Sequence, residues 1–150
     1  MKKIVILGGG YGGVATGKKL HKYFKKHNDI QITLIDKKPY HTLMTELHEV
    51  AAGRTPEDSI RIDLKSIFEG RKVDVVLDEI TNIDFKAKKL SSDTKVYDYD
   101  YLVIGAGSEP AFYGVEGAQE FGHTLWSYEE AVNLKEHIHN MFRLAEKNHH

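Results

Sequence analysis

Ile4-Val5-Ile6-Leu7-Gly8-Gly9-Gly10-Tyr11-Gly12-Gly13 is the stretch that decides the fold. Four apolar residues in a row, with no polar alternation, read as a strand buried on both faces of a parallel sheet. The glycines stop it. From Gly12 to about His27 the small or apolar positions Gly13, Gly17, Leu20 and Phe24 recur at helical spacing on one face, while Lys18, Lys19, Lys22, Lys25 and Lys26 fall largely on the others. Asn28-Asp29 ends that helix. Ile30, Ile32, Leu34 and Ile35 then form a second strand closed by Asp36. Strand, helix and strand in succession make a βαβ unit, so the expected class is α/β with a parallel sheet.

Gly8, Gly10 and Gly13 satisfy G-x-G-x-x-G, a weak pattern by itself. Here a buried strand precedes it, a helix starts inside it, and an acid stands at a strand end 23 residues after Gly13. Each part has a physical task. Gly8 permits a tight turn, Gly10 offers no side chain to block a pyrophosphate, and Gly13 with Gly17 lets the helix pack close to the sheet. The helix start supplies N–H donors and a partial positive charge for phosphates. Asp36 would accept hydrogen bonds from the adenosine ribose, and its charge would repel a 2′-phosphate. The motif therefore predicts a dinucleotide, FAD or NAD rather than NADP.

Beyond Asp36, Pro39 marks a break. Leu43, Leu47 and Val50 predict a short helix stopping at Gly53, and Leu64, Ile67 and Phe68 another stopping at Gly70. Val73 to Leu77 is a third strand. Ile80, Ile83 and Phe85, then Leu90, then Val96, broken by the turn Ser91-Ser92-Asp93, predict a small antiparallel meander. Tyr101 to Ile104 is a further apolar strand ending at Gly105-Ala106-Gly107. Ser127 with Glu130 three residues on forms a capping box. Behind it Ala131, Leu134, Ile138, Met141 or Phe142, and Ala145 line one helical face nearly to the end. Composition shifts nowhere, so no domain boundary is expected before the chain ends.

The bulk numbers exclude several functions. Lys plus Arg number 21 against 22 Asp plus Glu, so no global field attracts nucleic acid or an anionic membrane. There is no cysteine among the 150 residues, which removes disulfides, thiolate metal sites and cysteine nucleophiles. His41 and His48 stand seven apart, and neither belongs to an H-E-x-x-H pattern, so no metal site is expected and both are read as solvated or packing histidines. No G-x-S-x-G elbow supports hydrolase chemistry. No run approaches the ~20 apolar residues of a membrane helix, and a cytoplasmic location is the default expectation. His149-His150 carry no functional weight.

A second motif separates the two dinucleotides. Tyr99-Asp100-Tyr101-Leu102-Val103-Ile104-Gly105-Ala106-Gly107-Ser108-Glu109-Pro110 resembles the second signature of the two-dinucleotide-binding flavoproteins. Their first domain is a Rossmann-like FAD-binding domain with a glycine loop, an acid ending the second strand, a β-meander and then this strand. Lys37-Lys38-Pro39-Tyr40-His41, Thr45 to Gly53, Gly114-Val115-Glu116-Gly117 and Trp126-Ser127 are similar to the type II NADH dehydrogenases within that group. Its disulfide reductases need a C-x4-C pair, and its sulfide:quinone reductases need cysteines that are absent here.

The resemblance implies FAD as cofactor, held by Gly8, Gly10, Tyr11, Gly12 and Gly13 at the pyrophosphate and by Asp36 at the ribose. Lys37 would flank the adenine, Ile80 would meet it through its backbone, Thr45 would lie against the flavin ring, and Gly107 near the cofactor. It implies an enzyme passing hydride from NADH to an acceptor, quinone before others, with no catalytic residue assigned. It also implies that 1–150 is a piece: an FAD-binding domain whose residues from about 111 lead toward an NADH-binding domain. The sheet would then lack a fifth strand and show an exposed edge, and membrane contact, at the cytoplasmic face, would come only through a missing C-terminal part. A homodimer is among the assemblies left open. The alternatives are a ferredoxin- or nitrite-reductase-type oxidoreductase with a soluble acceptor, and a non-catalytic NAD-binding regulatory module.

Overall fold

The computed structural model describes residues 1–147; His149-His150 lie outside the described residues. The chain runs β1 (Lys2–Leu7), α1 (Tyr11–Phe24), β2 (Ile30–Asp36), β3 (Tyr40–Thr42), α2 (Leu47–Ala51), β4 (Arg61–Asp63), α3 (Leu64–Phe68), β5 (Asp74–Leu77), β6 (Asn82–Asp84), β7 (Lys89–Ser91), β8 (Val96–Asp98), β9 (Tyr101–Ile104), α4 (Ala118–Phe121) and α5 (Tyr128–Lys147). Short 3-10 turns occupy Met44–Glu46 and Glu57–Ile60. These elements form two units. One holds Met1–His41 and Ile62–Gly107; the other holds Thr42–Arg61 and the chain from Ser108. No change of composition marks the division, because the chain crosses between the units three times.

The first unit is built on a four-stranded parallel sheet of order β5-β2-β1-β9. The alternation of its strands explains why they are apolar throughout. Ile6, Ile32 and Leu34 face one way and pack with Val14 of α1, Leu64 and Phe68 of α3, and Val73. Val5 and Ile35 face the other way, against Leu90 and Tyr99 from the meander region. Each such side chain, fully buried, contributes on the order of 1.5–3 kcal/mol. The meander is the antiparallel sheet β6-β7-β8. Tyr101 and Ile104 of the edge strand β9 are more than half exposed.

Two polar clamps close this unit. At the start of β1, the Lys3 amide donates to Asp100 Oδ2 at 2.7 Å while the Asp100 amide donates to the Lys3 carbonyl at 2.9 Å. At the end of β5, the Tyr97 hydroxyl donates to Asp78 Oδ2 at 2.5 Å and ties the meander to the strand.

In the second unit Leu47, Val50, Ile60 and Ala131 form the core, with Leu125, Tyr128 and Val132 beside them. The expected helix at Leu43–Val50 divides into a 3-10 turn and α2, and Gly53 at φ +67° ends it. The capping box is present: the Glu130 amide donates to Ser127 Oγ at 3.2 Å, and the Ser127 amide to Glu130 Oε2 at 3.0 Å. The apolar stripe expected along all of α5 is covered only in its first half. Ala131 is buried, whereas Met141, Phe142 and Leu144 are more than half exposed. Periodicity reports a stripe but not what covers it. Among the described residues no helix is long and apolar enough to cross a membrane.

Candidate functional site

The order β5-β2-β1-β9 means that the chain moves outward from β1 through β2 to β5, then returns to the other side of β1. Between β1 and β9 the strand order reverses, and at such a switch point the loops leaving the carboxyl ends diverge and open a crevice. The glycine loop leaves β1 there, and Gly105-Ala106-Gly107 leaves β9 beside it. Their backbones almost touch. The Gly105 amide donates to the Leu7 carbonyl at 2.7 Å, and a Cβ on Gly8 would stand 2.2 Å from the Gly105 oxygen. Gly8 also sits at φ +106°, where a side chain is strained. A Cβ on Gly13 would stand 1.8 Å from the Gly8 oxygen, so only glycine lets α1 start this close to the loop.

Gly10 and Gly12 behave in the opposite way, since a Cβ on either would meet nothing within 4 Å. They face open space. Gly10 caps α1 with no side-chain hydrogen bond to the helix start, and the first turn contains no acid. The first-turn amides of α1 lack intrahelical partners by construction and carry the positive end of the helix dipole. This is a cradle of backbone donors that an anion fits and a side chain does not fill.

Asp36 closes the other side. Its Oδ2 accepts from the Gly9 amide at 2.5 Å and its Oδ1 from the Lys38 amide at 2.7 Å. The carboxylate is therefore fixed by two backbone donors and points toward the glycine loop. A carboxylate has about four lone-pair sites, so both oxygens keep capacity for further donors such as sugar hydroxyls. Lys37, one residue on, is exposed, and its Nζ lies 3.2 Å from Glu79 Oε1 just past β5.

Gly8, Gly10, Tyr11, Gly12, Gly13, Asp36, Lys37 and Gly107 thus all lie at the carboxyl ends of β1, β2 and β9 or in the first turn of α1. Gly107, at φ +81°, has open space around its α-carbon. Ile80 follows β5 at the same end, but its side chain packs into the core cluster against the meander, leaving only its backbone for a ligand. Thr45 belongs to the second unit, exposed on the 3-10 turn, with Oγ1 3.5 Å from Glu46 Oε1. Gly17, expected against the sheet, packs there and against α3 as well: an added Cβ would come 3.6 Å from Ile6 of β1 and 2.8 Å from the Phe68 ring.

Two residues at the site are not in the motif. Gly9 is buried and bridges the loop to Asp36. His41 is 6% exposed, and its Nδ1 donates to the Gly9 carbonyl at 3.0 Å. Its ring meets Tyr11 edge to face, centroids 4.7 Å apart. The packing half of the sequence reading of His41 is what the structure shows. Its partner in the glycine loop carried no sequence signal, because the two are 32 residues apart. Among the described residues no group of three or more His, Asp or Glu could hold a metal ion.

The fold defines a class, α/β proteins with a glycine-loop cradle at the switch point of a parallel sheet. Residues 2–144 match the model of the pyridine nucleotide-disulphide oxidoreductases, and the chain belongs to that family. It is 36% identical over 141 residues to the type II NADH:quinone oxidoreductase of Staphylococcus haemolyticus, a match covering 94% of this chain and 35% of that protein. The chain spans about a third of the length of the curated relatives it matches. The fold is similar to that of the sulfide:quinone oxidoreductase of Aquifex aeolicus, with TM-score 0.84, 27% identity, and 95% of this chain on 33% of that one. It is also similar to that of NDH2 from Plasmodium falciparum in complex with NADH, with TM-score 0.75, 22% identity, and 89% of this chain on 28% of that one.

Proposed function

We propose that this chain is the FAD-binding part of a type II NADH dehydrogenase, an enzyme that takes hydride from NADH and passes the electrons to quinone. The observation that carries the reading is the cradle itself: open space at Gly10 and Gly12, beside an Asp36 carboxylate fixed by the Gly9 and Lys38 amides. The 36% identity to a type II NADH:quinone oxidoreductase supports the choice of donor and acceptor. The absence of cysteine in these 150 residues speaks against disulfide and persulfide chemistry here.

On this reading the amides of Gly10, Tyr11, Gly12 and Gly13 bind the pyrophosphate, and Asp36 accepts from the adenosine ribose; the Gly8 amide, expected among the phosphate donors, donates instead to the Ile35 carbonyl at 2.8 Å. Lys37 flanks the adenine, the backbone of Ile80 meets it, and Gly107 borders the cofactor. Thr45 is assigned to the flavin ring on the resemblance alone. FAD, when bound, supplies the hydride-accepting chemistry, and the protein supplies binding, orientation and electrostatics. NADH, the quinone and any membrane contact or homodimer interface are assigned outside these 150 residues.

The rival with a soluble acceptor has one supporting observation, the likeness to NADH:rubredoxin oxidoreductase of Clostridium acetobutylicum at 27% identity and TM-score 0.73. The test is the visible spectrum of the purified protein, with identification of the released cofactor by mass spectrometry. NADH bleaching of the longer protein should then be followed by reoxidation with a soluble quinone analogue. A colourless protein that binds NAD in calorimetry overturns the flavin reading. A bleached flavin that quinone does not reoxidise moves the acceptor to a soluble protein.

A further inference from the structure

We infer that His41 is a positioning residue for phosphate recognition: through Gly9 and Tyr11 it sets the direction in which the glycine loop presents its amides. The inference rests on the dinucleotide reading and adds a residue to it.

The glycine loop has a mechanical problem. Residues that leave space for an anion have no side chains to hold their own backbone in place, and glycine has the largest conformational freedom to lose. Something outside the loop must fix it. Two groups do so from opposite sides of one peptide segment. Asp36 Oδ2 accepts from the Gly9 amide at 2.5 Å, and His41 Nδ1 donates to the Gly9 carbonyl at 3.0 Å. With donor and acceptor of the same residue both held, the peptide planes on either side of Gly9 cannot rotate without breaking a bond. The Gly9 carbonyl belongs to the peptide whose N–H is that of Gly10, the helix cap. Fixing that plane fixes where the Gly10 amide points.

The second contact carries the constraint one residue further. The His41 ring meets the ring of Tyr11, the first residue of α1, at 4.7 Å and 87°. Tyr11 is half exposed and has no other ring partner among the described residues. One buried imidazole thus holds the carbonyl before the helix cap and the side chain after it. A bond from Nδ1–H also fixes the tautomer, leaving Nε2 as the acceptor when the ring is neutral. The donor at the Nδ1 position carries the larger part of the role, and the aromatic face adds the smaller part. An asparagine side chain supplies the first without the second, since its amide nitrogen reaches about as far as Nδ1.

The test compares two probes on the full chain: ADP, which carries a pyrophosphate, and adenosine, which does not. Both titrations can be followed by chemical shifts in NMR spectra. His41→Leu should weaken ADP binding about tenfold, the range expected when a buried carbonyl loses its partner, and leave adenosine binding within about twofold. His41→Asn should recover most of the ADP affinity. A merely structural histidine would lower both affinities together, or lower thermal stability with the ratio of the two unchanged, and either result overturns the inference. So does a His41→Leu protein that binds ADP like the wild type. Should His41→Leu fail to fold, His41→Asn and Tyr11→Leu carry the comparison: Tyr11→Leu must lower ADP affinity more than adenosine affinity. A wild-type chain that binds neither probe overturns the dinucleotide reading itself, a result distinct from the others.

Discussion

Replacing Gly13 by alanine and Gly12 by alanine should have opposite effects, although the residues are neighbours in one helix. A Cβ at position 13 would stand 1.8 Å from the Gly8 oxygen and 2.9 Å from its carbonyl carbon, both backbone atoms. Ordinary contact begins near 3.4 Å, so the helix start and the loop must separate by about 1.6 Å. Gly8 cannot yield in the other direction, because it is already pressed against Gly105 and holds φ +106°. Forced displacement of packed backbone costs about 1–3 kcal/mol and sometimes more. For a chain of this size that lowers the melting temperature by roughly 2–4 °C per kcal/mol, so Gly13→Ala should lose about 2–12 °C. Gly12→Ala meets nothing within 4 Å and sits in a helix. It should gain roughly 0.5–1 kcal/mol, from helix propensity and from a less flexible unfolded chain. Thermal unfolding followed by circular dichroism reads both. Equal losses for the two variants, or a neutral Gly13→Ala, would refute the close approach of α1 to the loop.

Further perturbations follow from the same contacts. Asp36→Asn removes the charge and the symmetric pair of acceptors; FAD affinity in apoprotein titrations should fall about tenfold, and an unchanged affinity would free the ribose from this residue. The Tyr97 hydroxyl is pushed up to about 12, by burial first and then by its bond to Asp78, whose own carboxyl that bond holds below the ordinary value of 3.8. A raised tyrosine pKa contributes stability that is fully present below pH ~10 and is lost as pH rises toward 12; the lowered Asp78 contributes stability above ~3.8 that is lost below it. Tyr97→Phe should flatten the alkaline loss and return Asp78 toward its usual range, measured by urea midpoints against pH and by carboxyl NMR titration. Glu130 is more central than its partner Ser127. Burial opposes its charge, yet bonds from Thr124 Oγ1, the Trp126 amide and the Ser127 amide hold its pKa down. Ser127→Ala should cost about 1 kcal/mol and Glu130→Ala more, with a change in the emission of Trp126, the chain's one tryptophan.

The first βαβ unit was legible because its signals are local: an unbroken apolar strand, glycines at fixed spacing and an acid closing the next strand. The meander and the strand from Tyr101 were legible for the same reason. What escaped depends on contacts between distant residues. β3 and β4 are three residues each and carry no periodicity. The split into two units escaped because the second takes Thr42–Arg61 from the middle of the first. The exposure of Met141 and Phe142 escaped because a helical stripe has the same spacing whether or not it is covered.

The relation between the two motifs shows where the limit lies. Gly8 and Gly105 stand 97 positions apart, and in the sequence each reads as the end of its own strand. Their pairing follows from sheet order, since β9 joins on the side of β1 away from β2. Had β9 joined beyond β5, the strand order would not reverse at β1, no crevice would open there, and the same glycines would shape an unrelated turn. The crowding of Gly8 against Gly105, 2.2 Å for an added Cβ, is therefore evidence about topology as well as about a turn. It follows that Gly8→Ala should damage the strand pairing of β9 along with the loop. Amide exchange at Leu102 to Gly105 would accelerate in that variant if β9 neighbours β1, and would stay as slow as in the wild type if the two motifs were independent.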